Sequence, residues 1–193
     1  MMNERLSAFL KVLDPTDNAT GGGTASAVAG AMAAALVGMV ARLSLGKKGL
    51  HPDDFYSRID SETQKLSLQL LDGSNTDSKA FEQVQAAFKL PKETDEQKAK
   101  RKNAIEQAML QATRVPLENA KACRAILDLQ QELEKSFNAN AASDLECAAH
   151  LAKAGLLGCL ANVAVNLANI KDEKVVQSFI KETEWLRASI QSS

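Results

Sequence analysis

GGGTASAVAGAMAAALVGMVARLS, residues 21–44, decides how this chain folds. Three glycines run directly into a stretch dominated by alanine, the strongest helix former. The junction predicts a glycine-rich turn feeding a helix over 24–45. Glycine lets another group come close to the backbone. A helix N-terminus adds unpaired N–H groups and the positive end of the helix dipole, a place for an anion. The small side chains beyond the turn predict that a second helix packs against this one at close range.

The remaining composition agrees with helices. Of 193 residues only 4% are aromatic, with one Trp and one Tyr, so Ala, Leu, Val and Ile must carry the core. That mixture favours packed helices over a sheet rich in β-branched and aromatic residues. The length suits one domain, and no Pro- or Ser-rich linker divides residues 1–193. The 23 basic and 24 acidic residues leave a net charge of −1, so no electrostatic case exists for nucleic acid. Three cysteines without a CxxC pair and two scattered histidines do not match zinc-ligand spacing, and no metal site is expected. An odd cysteine count and a charged start without an apolar signal core fit a cytoplasmic protein. Residues 24–40 approach the length of a membrane span, but Ala and Gly supply much of them and the mean hydropathy is −0.19. A buried helix is the better reading, with no membrane partner.

Periodicity predicts further helices. Leu6, Phe9, Leu10 and Leu13 share one side of a short helix over 4–13. Pro52-Asp53-Asp54 opens another, with Pro in its first turn and acids behind it. The signal weakens over Asp72-Gly73-Ser74-Asn75-Thr76-Asp77, where the helix kinks or two helices abut, and Phe81, Val84 and Phe88 resume the period. Thr94 and Gln97 have capping-box spacing. Pro116 kinks or restarts the helix that follows. Ser143 or Asp144 caps a long helix to Ile170, and a last one covers 172–190. No alternating strand pattern stands out, so the expected fold is all-α, a multihelical bundle of long antiparallel helices with short connections.

Polar residues interrupt the second Ala-rich helix. Asn162, Asn166 and Asn169 fall at i, i+4 and i+7, hence on one face. Asp144 precedes Asn162 by about five turns and points the same way, some 27 Å along the axis. Such a row lines a cleft or is solvated. Asp77 reads either as the N-cap of the helix through Phe88 or as a carboxylate held in a pocket, where burial raises its pKa and donors lower it. Cys147 and Cys159 read as small buried hydrophobes.

These segments carry a resemblance. Residues 21–44 resemble the opening signature of the formiminotransferase-cyclodeaminase C-terminal family, the cyclodeaminase and cyclohydrolase enzymes of folate metabolism. Three more segments resemble that family in the same order: DSKAFEQVQAAFKLPKETDEQKAKR (77–101), VPLENA (115–120) and SDLECAAHLAKAGLLGCLANVAVNL (143–167). The resemblance spans roughly residues 5 to 175. It implies a multihelical fold, a homodimer or assembly of dimers, and a tetrahydrofolate derivative bound near the subunit contact, with no cofactor beyond that substrate. The family's glycines correspond to Gly21, Gly22 and Gly23, its catalytic carboxylate to Asp77, the acid of its Ser-Asp-Leu segment to Asp144, and the Asn of its Asn-Val segment to Asn162. Thr20 stands where Pro often precedes the glycines, Thr24 where Ser often follows, and Phe137-Asn138 where Gly-Asn is usual.

Cyclodeamination closes a methenyl bridge between two folate nitrogens as ammonia leaves. Cyclohydrolysis adds water to that bridge and opens it to formyl-folate. Both move a proton at a tetrahedral carbon, work that suits a carboxylate, and a carboxylate also stabilises the cationic methenyl system. The resemblance assigns Asp77 as acid/base and Asp144 as a second or orienting carboxylate. Asn138 and Asn162 are expected to hydrogen-bond the substrate, and the turn of Gly21, Gly22, Gly23 and Thr24 to supply donors. The competing expectation is a non-catalytic helical dimerisation or scaffold module that retains the fold.

Overall fold

A computed structural model describes residues 6–17 and 20–191. Among the described residues, six α-helices run in the order α1 (Ser7–Val12), α2 (Gly22–Ser44), α3 (Asp53–Phe88), α4 (Asp95–Glu134), α5 (Ala142–Leu167) and α6 (Glu173–Gln191). A 3-10 turn, Ala139–Ala141, leads into α5. Among the described residues there is no strand, as the alanine-rich, aromatic-poor composition predicts.

Helices α2 to α5 form a ring in which each packs on the next and α5 returns to α2. Short connections reverse the chain between them, so neighbours run antiparallel. Helix α2 also touches α4 across the ring, because its inward residues are small. Ala27, Ala31, Ala34, Val37 and Val40 are buried there, against Leu70, Leu127 and Leu156 of the other three helices. The α2–α5 crossing brings backbone against backbone. A Cβ added to Gly155 would lie 2.8 Å from the Ser26 carbonyl oxygen and 3.1 Å from the Gly30 nitrogen. The close approach expected from the small residues of α2 is this contact.

Three local expectations are corrected. Helix α3 is continuous through 72–77 rather than kinked. The polar side chains there fold back on their own helix: Asn75 Nδ2 donates to the Leu71 carbonyl at 3.0 Å, Ser74 Oγ to the same carbonyl at 2.7 Å and Thr76 Oγ1 to that of Asp72 at 2.8 Å. Packing against α2 and α4 overrides their weak helix propensity. Helix α4 likewise continues through Pro116. Helix α5 begins without a side-chain cap, and Asp144 lies in its first turn. The Thr94–Gln97 capping box is present, with Gln97 N donating to Thr94 Oγ1 and Thr94 N to Gln97 Oε1, both at 3.2 Å. The part of the first expected helix before residue 6 lies outside the described residues.

By length and composition alone, α2 and residues 139–167 are apolar enough to cross a membrane. In α2, 61% of the apolar window is buried against the other helices.

Candidate functional site

Where α2 begins, the bundle opens into a cavity of about 390 Å³. Gly21, just before α2, and Thr24 form one wall, Asp77, Ser78, Phe81 and Phe88 of α3 a second, and Asn162 and Asn166 of α5, with Asn169 just beyond it, a third. Met109 and Ala112 of α4, with Val84 of α3 and Val165 of α5, complete the lining. Phe81 and Phe88 are about half exposed, which a soluble helix tolerates best beside a ligand or partner. Their spacing of seven residues puts them on one face of α3, so the cavity has an aromatic side and an amide side.

Asp77 sits at the seam. It is part-buried, and Thr24 Oγ1 donates to its Oδ2 at 2.8 Å. The Thr24 backbone N–H donates to the same carboxyl. The anion seated on the first turn of α2 is therefore a side chain of the protein. Burial pushes the Asp77 carboxyl above its ordinary pKa, and the two Thr24 hydrogen bonds oppose that rise without cancelling it. A carboxyl so placed is a better proton acceptor than a solvated one.

Gly23 explains why the signature needs glycine. A Cβ there would lie 2.8 Å from both Asp77 carboxyl oxygens and 2.9 Å from Asn162 Nδ2. The carboxylate, the amide and the missing side chain converge on one point. A Cβ at Gly21 or Gly22 would meet nothing within 4 Å.

The structure thus brings together Gly21, Gly23, Thr24, Asp77 and Asn162. Asn162 and Asn166 line the cleft half-buried, and Asn169 borders it at an exposed position. Asp144 and Asn138 are not brought to it. Asp144 lies in the first turn of α5, at the opposite end of that helix from Asn162. Asn138 secures the C-terminus of α2, its backbone N–H donating to Ser44 Oγ at 2.9 Å and its Nδ2 to the Leu43 carbonyl at 3.1 Å. Helical phase places Asp144 on the right face, but phase does not report distance along the axis.

The sequence signal for the aromatic wall was present as the Phe81, Val84, Phe88 period, which reads equally well as core. Cys147 is exposed, contrary to expectation, whereas Cys159 is buried. Its hydrogen bond to Cys123 and its burial both push the Cys159 thiol upward, so it offers no nucleophile.

A second groove of about 370 Å³ shares Asn169 with the cavity. Lys92, Lys98, Arg101, Lys102 and Lys171 line it, against the acid Glu106. Arg101 connects the two spaces. Its guanidinium lies over the Phe88 ring, 5.7 Å from the centroid, and donates to the Phe88 carbonyl at 3.1 Å.

Known proteins share this architecture. The sequence profile described as formiminotransferase-cyclodeaminase matches residues 5–184. The methenyltetrahydrofolate cyclohydrolase of Methylorubrum extorquens is 37% identical over 187 residues, 96% of this chain and 90% of that protein. The formimidoyltransferase-cyclodeaminase of Rattus norvegicus is 32% identical over 174 residues, and the match takes in 90% of this chain but only 32% of that longer protein. The crystal structure of formiminotetrahydrofolate cyclodeaminase from Thermotoga maritima superposes with a TM-score of 0.84 at 29% identity, over 95% of this chain and 88% of that one.

Proposed function

Because the chain belongs to the formiminotransferase-cyclodeaminase family, we propose that it is a folate one-carbon enzyme, a methenyltetrahydrofolate cyclohydrolase or a formimidoyltetrahydrofolate cyclodeaminase. The observation that carries the reading is Asp77, a part-buried carboxyl hydrogen-bonded by Thr24 on the wall of a cavity with an aromatic side.

In this reading the one-carbon bridge between the two folate nitrogens lies beside Asp77. For cyclohydrolysis, Asp77 takes a proton from water as its oxygen bonds to the methenyl carbon. The same proton then goes to the departing ring nitrogen as the C–N bond of the bridge breaks, and the remaining hydroxyl proton is released to solvent as the carbon becomes a formyl group. For cyclodeamination, the second folate nitrogen attacks the protonated formimino carbon, Asp77 takes the proton that this nitrogen loses and passes it to the departing nitrogen, and ammonia leaves as its C–N bond breaks. The ionised carboxyl also stabilises the cationic methenyl species common to both routes. Asn162 supplies an amide donor beside it, and Phe81 and Phe88 offer apolar faces for planar rings. Acid/base work rests on Asp77 alone among the two candidate carboxylates, since Asp144 is far down α5. The basic groove beyond Asn169 suits the anionic glutamate end of a folate.

The same reading includes a second copy of the chain. Ala29, Met32, Leu36, Met39 and Leu43 repeat at three- and four-residue steps along α2, and all are half-buried or exposed. That stripe is the seam by which two α2 helices pair. Sedimentation equilibrium of Met32→Lys with Leu36→Glu checks it, with monomer expected where the parent chain is dimeric.

The deciding assay follows methenyl absorbance. Loss of it from methenyltetrahydrofolate identifies the hydrolase, and its gain from formimidoyltetrahydrofolate identifies the deaminase. Absence of both, with no folate binding by calorimetry, rejects the enzyme reading in favour of a scaffold.

A further inference from the structure

Pro116 lies inside α4, where a residue would normally donate its N–H to the carbonyl four positions back. Proline has no N–H, and its ring pushes that carbonyl aside. The carbonyl in question belongs to Ala112, which lines the cavity. It does not go unpartnered: Asn166 Nδ2 donates to it from α5 at 2.7 Å. The same Nδ2 donates to Asn162 Oδ1 at 3.2 Å.

These two contacts determine how both amides are turned. A carbonyl oxygen only accepts, so the Asn166 atom facing Ala112 is its nitrogen. That nitrogen has two hydrogens, and the second faces Asn162. The Asn162 atom meeting it is therefore the oxygen. Asn162 Nδ2 is left on the other side, where it lies 2.9 Å from the point that a Gly23 Cβ would occupy, as the Asp77 oxygens lie 2.8 Å from the same point. Without this chain of donors the Asn162 amide has two orientations of similar energy, and one of them turns an oxygen toward the Asp77 carboxylate.

We propose that Asn166 is a positioning residue: held by the Ala112 carbonyl that Pro116 frees, it fixes the Asn162 amide with its nitrogen toward Asp77. The helix-interior proline is then a component of the site rather than a blemish in α4. The catalytic consequence rests on the folate reading above, but the orientation of the amide does not.

The test combines Pro116→Ala, Asn166→Leu and the double variant. Pro116→Ala returns a backbone donor to Ala112, so α4 keeps or gains stability while Asn166 loses its exclusive acceptor. Turnover number should fall about tenfold in Asn166→Leu and severalfold in Pro116→Ala, and the double variant should be no worse than Asn166→Leu, the non-additivity of residues acting as one unit. KM should change less than kcat, because the misplaced group faces the reacting carbon. In parallel, the Asn162 side-chain amide resonances, assigned by their loss in Asn162→Asp, should shift in both single variants. Parent-like turnover in Pro116→Ala with an unmoved Asn162 resonance overturns the proposal, as does multiplication of the two single effects. If the parent chain acts on neither folate, the resonance shifts still decide the relay, and unshifted Asn162 signals reject it.

Discussion

Thr24 Oγ1 donates to Asp77 Oδ2 at 2.8 Å, across 53 positions of sequence, and so joins the first turn of α2 to the middle of α3. A glycine-rich helix start usually signals an external anion. Here the positive end of α2 and the Thr24 donors face a carboxylate belonging to the same chain. The arrangement sets the proton affinity of Asp77 between two opposing influences, burial and hydrogen bonding, and each can be altered separately.

Removing the hydroxyl removes one of the influences that lowers the Asp77 pKa. Thr24→Val should therefore move the acidic limb of the kcat/KM profile to higher pH, whereas Thr24→Ser should leave it in place. Asp77→Asn should lower turnover by about 100-fold to 10,000-fold, the usual worth of a general acid/base. Rates measured from about pH 4 to pH 8 provide the check, since a raised carboxyl titrates above the ordinary aspartate value. An unmoved limb in Thr24→Val separates Asp77 from the rate-controlling proton.

The three glycines should respond differently. Gly22→Ala meets open space, and alanine is the better helix former, so folding should be unaffected or improved by up to about 1 kcal/mol. Gly23→Ala places a methyl group against both Asp77 oxygens and Asn162 Nδ2. It should cost about 1–3 kcal/mol of stability by overpacking and displace the carboxylate. Urea titration and initial rates should show activity lost in Gly23→Ala well beyond its loss of folded protein.

Stability should depend on Asp77 in a definite direction. Its pKa is raised in the folded chain, so the folded state binds that proton more tightly than the unfolded one. The resulting stabilisation is fully present below the ordinary aspartate value of 3.8 and is lost as pH rises through the folded value. The charged form of this carboxyl is thus a burden on the fold, because burial disfavours it. Asp77→Asn should unfold at a higher temperature than the parent at pH 7, and the advantage should shrink as the pH is lowered toward 4. Thermal melts of both proteins over that range will show it, and equal melting temperatures throughout would contradict the assigned shift.

The basic groove beyond Asn169 should affect substrate binding and little else. Lys102→Glu with Lys171→Glu reverses two of its charges at exposed positions. KM for an anionic folate should rise roughly tenfold at low salt and converge with the parent at high salt, because exposed charges are screened within about 10 Å at 0.1 M. A turnover number changed as much as KM would place these lysines in a different role.

Much of this protein is legible in the order of its residues, for local reasons. The alanine run of α2, the Thr94–Gln97 box and the apolar periods depend on neighbours a few positions apart, and those rules operate without knowledge of the fold. The amide row of α5 is legible for the same reason: helical phase places Asn162, Asn166 and Asn169 together. Tertiary structure decided what local rules cannot reach. The polar stretch 72–77 reads as a break until packing on α2 and α4 holds it helical, and Pro116 reads as a kink until Asn166 arrives from another helix to accept its displaced duty. Asp144 and Asn162 share a phase yet sit at opposite ends of α5, because a sequence period carries angle without proximity to a second helix. The meaning of Gly23, alone among the three glycines, came only when α3 placed the Asp77 carboxylate where its Cβ would be.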